Sequence, residues 1–167
     1  MATATDWRSA ELSSLTQHIA STHHAYLNRQ LPLIASLLTA HVRQYWLKHP
    51  ELLKAHALFF QFQAAVEQHL IKEETVGFPL VEARGHDPAK SLAPFVNSIN
   101  GHIAEHATIR GLLHEIREAL WDFQAPENLG GEVAYTCQLL TELEKDMAEH
   151  VHLEDDILFP RVRAVSA

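Results

Sequence analysis

The sequence predicts an all-α protein, an up-down-up-down antiparallel four-helix bundle, and three observations carry that expectation. Apolar residues recur at three- and four-residue spacing through four long segments. Only three breaks, each carrying Pro or Gly, separate those segments. Gly (6) and Pro (7) are few among 167 residues, too few for a turn-rich β architecture. Long helices joined by short loops pack antiparallel, so the four segments make one bundle.

The first helix is expected from about Leu12 to Leu47, with an apolar stripe of Leu12, Leu15, Ile19, Tyr26, Leu27, Leu33, Leu37 and Leu38. Pro32 lies inside it and predicts a kink or local unwinding. After Lys48-His49-Pro50, a second helix spans about Glu51 to Ala83, with Leu52, Leu53, Phe59, Phe62, Val66 and Leu70 inward. Gly85-His86-Asp87-Pro88 reads as a turn, because Gly suits the end of a helix and Pro88 does not continue one. A third helix follows from about Ala89 to Phe123, weakly interrupted at Pro94 and Gly101. Past the break at 125–131, the last helix runs from about Glu132 to Val162. A single domain over 1–167 with a short N-terminal arm (1–11) is expected.

Composition excludes several classes. The 13 Lys+Arg against 21 Asp+Glu give a formal charge of −8, with no basic run, so nucleic acid is not an expected partner. No stretch approaches the roughly 20 apolar residues of a membrane span, and Met1 to Ser9 has no apolar signal-peptide core. The chain reads as cytoplasmic. A single cysteine, Cys137, excludes an internal disulfide and any Cys-based zinc site. The unusual figure is histidine: 13 residues, as many as Lys and Arg together. Metal ligation and proton transfer are that side chain's main uses.

One internal echo sharpens this. His69-Leu-Ile-Lys-Glu73-Glu-Thr-Val-Gly-Phe78-Pro79-Leu-Val81 aligns with His150-Val-His-Leu-Glu154-Asp-Asp-Ile-Leu-Phe159-Pro160-Arg-Val162. His, Glu, Phe, Pro and Val recur at identical spacing on the second and fourth helices, which run parallel in such a bundle. A pseudo-twofold site between two helical hairpins follows. Residues four apart share one helix face, so His69 with Glu73, and His150 with Glu154, reach one metal or one pair of metals. His102 and His106 offer the same spacing on the third helix, and His24 completes the set from the first.

Five imidazoles and two carboxylates exceed the four ligands of a single zinc. They suit two first-row metals bridged by the carboxylates, iron or manganese in a sulfur-free N/O shell. Any one such His-x-x-x-Glu pair is most simply an exposed i,i+4 pair. Pairs on three helices, two of them inside an echoed motif, reverse that reading. The other histidines (His18, His41, His49, His56, His86 and His114) read as surface or capping residues. His23 and His152 adjoin ligands, Glu74 reads as solvated, Glu105 as a surface acid able to relay protons, and Phe59, Phe62, Phe78 and Phe159 as core.

The pattern His24, His69-x-x-x-Glu73, His102-x-x-x-His106, His150-x-x-x-Glu154 resembles the hemerythrin-like, or HHE cation-binding, domain. The flanks more specifically resemble the di-iron proteins that repair iron–sulfur clusters, without their N-terminal Cys-pair domain. Those flanks are Asp6-Trp7-Arg8-Ser9-Ala10, His23-His24-Ala-Tyr26-Leu27, Leu31-Pro32, Lys72-Glu73-Glu74, Glu105-His106 and Leu158-Phe159-Pro160-Arg161. The resemblance implies a hemerythrin-like bundle with a non-haem di-iron centre. His102, His106 and His150 would ligate one iron, His24 and His69 the other. Glu73 and Glu154 would bridge them together with an oxo or hydroxo group, leaving one position free. The chain has Tyr45 where the repair proteins tend to place a histidine, and His102 where they do not. That shifts the implied ligand set toward the oxygen-binding members.

The expected function is therefore a di-iron protein that binds O₂ or NO for sensing, stress response or iron handling, with peroxide as a further ligand. The alternative is repair of oxidatively or nitrosatively damaged iron–sulfur clusters, which would make damaged iron–sulfur proteins its partners. A histidine-phosphotransfer module is also a helical bundle, but it needs one accessible histidine rather than seven aligned ligands.

Overall fold

The computed structural model describes residues 5–166. Helices make up its regular structure, with no strand among the described residues. Four long helices cover 12–45, 51–86, Ala93–Ala119 and 130–164. The first packs on the second and fourth, and the second on the third, as an up-and-down bundle requires. The expected boundaries hold to within a few residues. The second helix runs through Gly85 to His86, and the third starts only at Ala93. It stops at Ala119, where Trp121, Asp122 and Phe123 take left-handed φ values of 52°, 55° and 61°.

Three of the long helices contain one widened, π-helical turn: Ala20–His24, Glu73–Gly77 and Leu153–Leu158. The echoed prolines explain two of them. A proline ring collides with the carbonyl four residues earlier; for Pro79 and Pro160 those are Thr75 and Asp156, each inside a wide turn. Pro32, in contrast, lies within an unbroken helix, Ala25–Tyr45. The irregularity expected there occurs instead at Ala20–His24, immediately before His24's successor. Single π turns of this kind concentrate at functional sites, and all three carry or adjoin the histidines and glutamates singled out above.

Two apolar cores fill the bundle. The longer one is built on Leu27, Ile34, Phe59, Phe62, Ile116 and Leu140, and the shorter on Leu15, Ile19, Phe95, Ile99 and Phe159. A polar layer of seven buried residues separates them: His24, His69, Glu73, His102, His106, His150 and Glu154. Leu33 and Leu53 face outward, with Leu31 and Ile34 taking the inward positions on the first helix. The described part of the arm is tied down by Arg161, which donates to the carbonyls of Trp7 (2.7 Å) and Ala10 (2.5 Å). Trp7 itself stacks on His18 with ring centroids 4.4 Å apart. Residues 1–4 of the expected arm lie outside the described residues.

Candidate metal centre

Two groups of four donors form the polar layer, and they share both carboxylates. His24 and His150 converge with Glu73 and Glu154 on one side; His69 and His106 converge with the same two glutamates on the other. The facing nitrogens are close: His24 Nε2 to His150 Nε2 is 3.2 Å, and His69 Nε2 to His106 Nε2 is 2.9 Å. Glu73 Oε2 sits 3.4 Å from Nε2 of both His24 and His69, one histidine from each group. Glu154 spans the groups in the same way, with Oε1 2.8 Å from His150 Nε2 and Oε2 3.0 Å from His106 Nε2.

The local sequence explains the convergence. His69/Glu73 and His150/Glu154 are i,i+4 pairs, so each projects from one face, and the wide turns begin at or beside the glutamates. The echo places them symmetrically. His24 and His106 face them from the first and third helices.

Each of three ligand candidates is held from behind by a carboxylate. A carboxylate only accepts, so the imidazole Nδ1–H donates: His24 to Glu74 (2.8 Å), His69 to Glu105 (3.0 Å) and His106 to Asp155 (2.8 Å). This fixes the tautomer that leaves Nε2 free to ligate, and raises its basicity. Lys72 in turn pairs with Glu105. Glu74 is thus not merely solvated, and Asp155, which the sequence alone did not single out, backs His106 in the same way. The signal was present: an acid follows each echoed glutamate, as Glu73-Glu74 and Glu154-Asp155, and another precedes His106.

Does a metal fit? Both oxygens of Glu73 and Oε2 of Glu154 are buried without a hydrogen-bond partner among the described residues, and both side chains are 0% exposed. Burying carboxylates in this way is costly unless a cation compensates them. Nitrogens and oxygens crowded about one point, with orphaned carboxylate oxygens among them, are a donor set suited to cations. The protonation equilibria agree. Burial alone lowers His24 and His69, but the Glu73 and Glu154 carboxylates outweigh it and raise them to about 10 and about 9. Burial opposes ionisation of Glu154 too, yet the His150, His106 and His24 imidazoles hold it well below the usual carboxylate range. Without metal, protons on the imidazoles do a cation's work.

His102 stands apart. Its Nδ1 lies 3.4 Å from His69 Nδ1 and 3.9 Å from Glu73 Oε1, outside both four-residue groups, and it clusters instead with His69 and Glu105. The three-and-two division that the resemblance implied is not the one this geometry gives: His24 pairs with His150, and His69 with His106. Tyr45 closes the first helix 21 residues beyond His24, about 31 Å along the axis at 1.5 Å per residue. It packs against the longer core, away from the layer. His41 is buried, its Nε2 2.8 Å from Thr136 Oγ1, where it pins the first helix to the fourth rather than facing solvent. His152 pairs with Asp156 at the surface. His23 is buried and stacks on His150 with ring centroids 5.5 Å apart, its Nδ1 3.0 Å from Asp146.

Aromatic rings close the layer toward the shorter core. Phe78 stacks on His24 and Phe159 on His106, at 5.4 and 6.0 Å. On the outer side, a groove of about 370 Å³ between the second and third helices is lined by Lys72, Gly101, Ala104 and Glu105.

The hemerythrin HHE cation-binding domain model matches residues 16–162. The chain belongs to that family. Among curated proteins, it is 29% identical over 153 residues to the iron–sulfur cluster repair protein ScdA of Staphylococcus epidermidis, covering 90% of this chain and 66% of the relative. It is 28% identical over 159 residues to the iron–sulfur cluster repair protein YtfE of Yersinia pseudotuberculosis, covering 93% and 68%. This hemerythrin-family chain thus spans about two thirds of the length of the curated relatives it matches. The all-α four-helix bundle is the fold, and buried His/Glu clusters in a cation-binding domain point to metal binding. Among the described residues, no helix is long and apolar enough to cross a membrane.

Proposed function

We propose that this chain holds two iron ions between Glu73 and Glu154 and serves as an iron donor in repair of damaged iron–sulfur clusters. The observation that carries it is the pair of four-residue groups sharing both carboxylates, in relatives' company whose names are cluster repair proteins. His24 and His150 would hold one ion, His69 and His106 the other. Ferrous iron is here the cargo, and an acceptor cluster that has lost iron is the partner.

The chain's own residues support that role. Glu74, Glu105 and Asp155 orient three of the imidazoles, so the donor set exists before metal arrives. These three acids and the two buried glutamates outnumber the cations beside them, Lys72 at Glu105 and Arg110 3.9 Å from Asp155, and so favour cation entry. The groove brings solvent to Glu105, the carboxylate that backs His69. His102 lies outside both groups, which supports the repair reading over an oxygen-binding ligand set.

The test is to load the protein with ferrous iron anaerobically and mix it with an apo iron–sulfur enzyme. Recovered enzyme activity should exceed that given by an equal amount of free ferrous salt. Recovery no better than the salt's overturns the repair reading.

A second reading, binding of O₂ or NO, is favoured by one observation: Phe78 and Phe159 make one side of the layer apolar. A reversible visible spectrum under air, or an azide-induced change in the oxidised protein, is the expected sign. Rapid irreversible oxidation and an unchanged spectrum count against it.

A further inference from the structure

The pseudo-twofold relation maps the first hairpin onto the second: His24 onto His106, His69 onto His150, Glu73 onto Glu154 and Glu74 onto Asp155. The supporting hydrogen bonds obey it. Glu74, from the second helix, holds His24 on the first; Asp155, from the fourth, holds His106 on the third. His69 is held by Glu105, the residue preceding His106. The relation then calls for an acceptor behind His150 from the residue preceding His24.

That residue is His23. Its ring lies flat on His150, at an interplanar angle of 8°, and its Nδ1 engages Asp146, one turn before His150 on the fourth helix. His150 Nδ1 is buried and has no hydrogen-bond partner among the described residues. Three of the four imidazoles are thus backed by a carboxylate, and one is not.

We infer that the two metal positions are unequal: the ion held by His24 and His150 is the weaker-bound and is the one surrendered first. The inference rests on the two-ion reading above and says which ion leaves. The reason is chemical. An imidazole whose Nδ1–H is held by a carboxylate is fixed in its ligating tautomer and is a stronger donor. Loss of such a partner typically costs about 10–100-fold in metal affinity. Glu105 is accordingly a positioning residue for the His69–His106 ion, and His23 is the substitution that leaves the other ion without its counterpart.

The test uses occupancy rather than activity. The full chain is given two equivalents, and separately one equivalent, of Co(II), then crystallised, and the anomalous scattering of each position is compared. With one equivalent, the position between His69 and His106 should carry at least about ten times the occupancy of the other. Equal occupancy, or a preference for the His24–His150 position, overturns the inference. Failure to bind a second ion at two equivalents counts instead against the two-ion reading. Glu105→Ala should abolish or reverse the preference, which a merely structural role would not do. An unchanged preference overturns the assignment to Glu105. If that variant does not fold, His23→Glu, which restores the missing acceptor, should bring the two occupancies together, and a preference that persists there overturns the inference.

Discussion

At the scale of single residues, Glu73 and Glu154 carry more of the centre than any histidine, because each contributes to both donor groups. Removing one takes a ligand from two positions at once. Glu154→Ala should lower bound metal from two ions per chain to one or none by metal analysis, and retention of two ions would refute the assignment. The outer carboxylates act one step removed. Asp155→Ala should weaken metal binding by about 10–100-fold in a chelator competition. Its neighbour Asp156, which pairs with the exposed His152, provides the control: Asp156→Ala should leave affinity unchanged.

The helices deliver these residues through their irregularities. A regular helix through the Phe-Pro pairs would drive each proline ring into the preceding carbonyl, so the chain widens at Glu73–Gly77 and Leu153–Leu158. Gly77 closes the first of these turns where the third helix approaches closely. A Cβ there would stand 2.7 Å from Cε2 of Phe95, a fully buried ring of the shorter core. Gly77→Ala should therefore cost about 1–3 kcal/mol through overpacking, read as a lower denaturant midpoint. It should also loosen metal binding, since Glu73 is in the same turn. Gly101→Ala is the matching control on the third helix, because nothing lies within 4 Å of its added Cβ.

For the whole molecule, the polar layer between two apolar cores makes stability depend on what neutralises Glu73 and Glu154. In the metal-free protein, protonated His24 and His69 do so. Their folded-state values of about 10 and about 9 lie above the ordinary 6.5, so this stabilisation is complete below pH 6.5 and is lost as pH rises toward 10. Glu154, held low in the fold, contributes above about pH 4.5 and loses its contribution on acidification. The apo protein should thus be most stable in weak acid, and its melting temperature should fall from pH 6.5 to pH 10; a rise across that range would contradict the layer's electrostatics. Metal must displace the imidazole protons, so binding at pH 7–8 should release protons, detectable in a weakly buffered indicator solution. Chelation should then lower the melting temperature: an ion bound at 100 times its Kd stabilises the fold by about 2.7 kcal/mol.

Periodicity and breaks were enough to set the helix count, the connectivity and the approximate ends, because helical burial is a property of local spacing. The echoed His-x-x-x-Glu-x₄-Phe-Pro motif likewise exposed the symmetry and four of the seven residues of the polar layer. Three things were decided only by the tertiary structure. The pairing of His24 with His150, and of His69 with His106, depends on which helices face each other at one height, and so does the exclusion of His102 from both groups. The roles of Glu74, Glu105, Asp155 and His23 depend on contacts between residues 36 to 123 positions apart, such as His69 with Glu105 and His23 with Asp146. Side-chain direction also escaped the local pattern, because a widened turn shifts the phase of every residue beyond it. The sequence determined that a histidine-rich layer of candidate metal donors lies in a bundle; packing alone decided which donors meet, and which one of them stands without support.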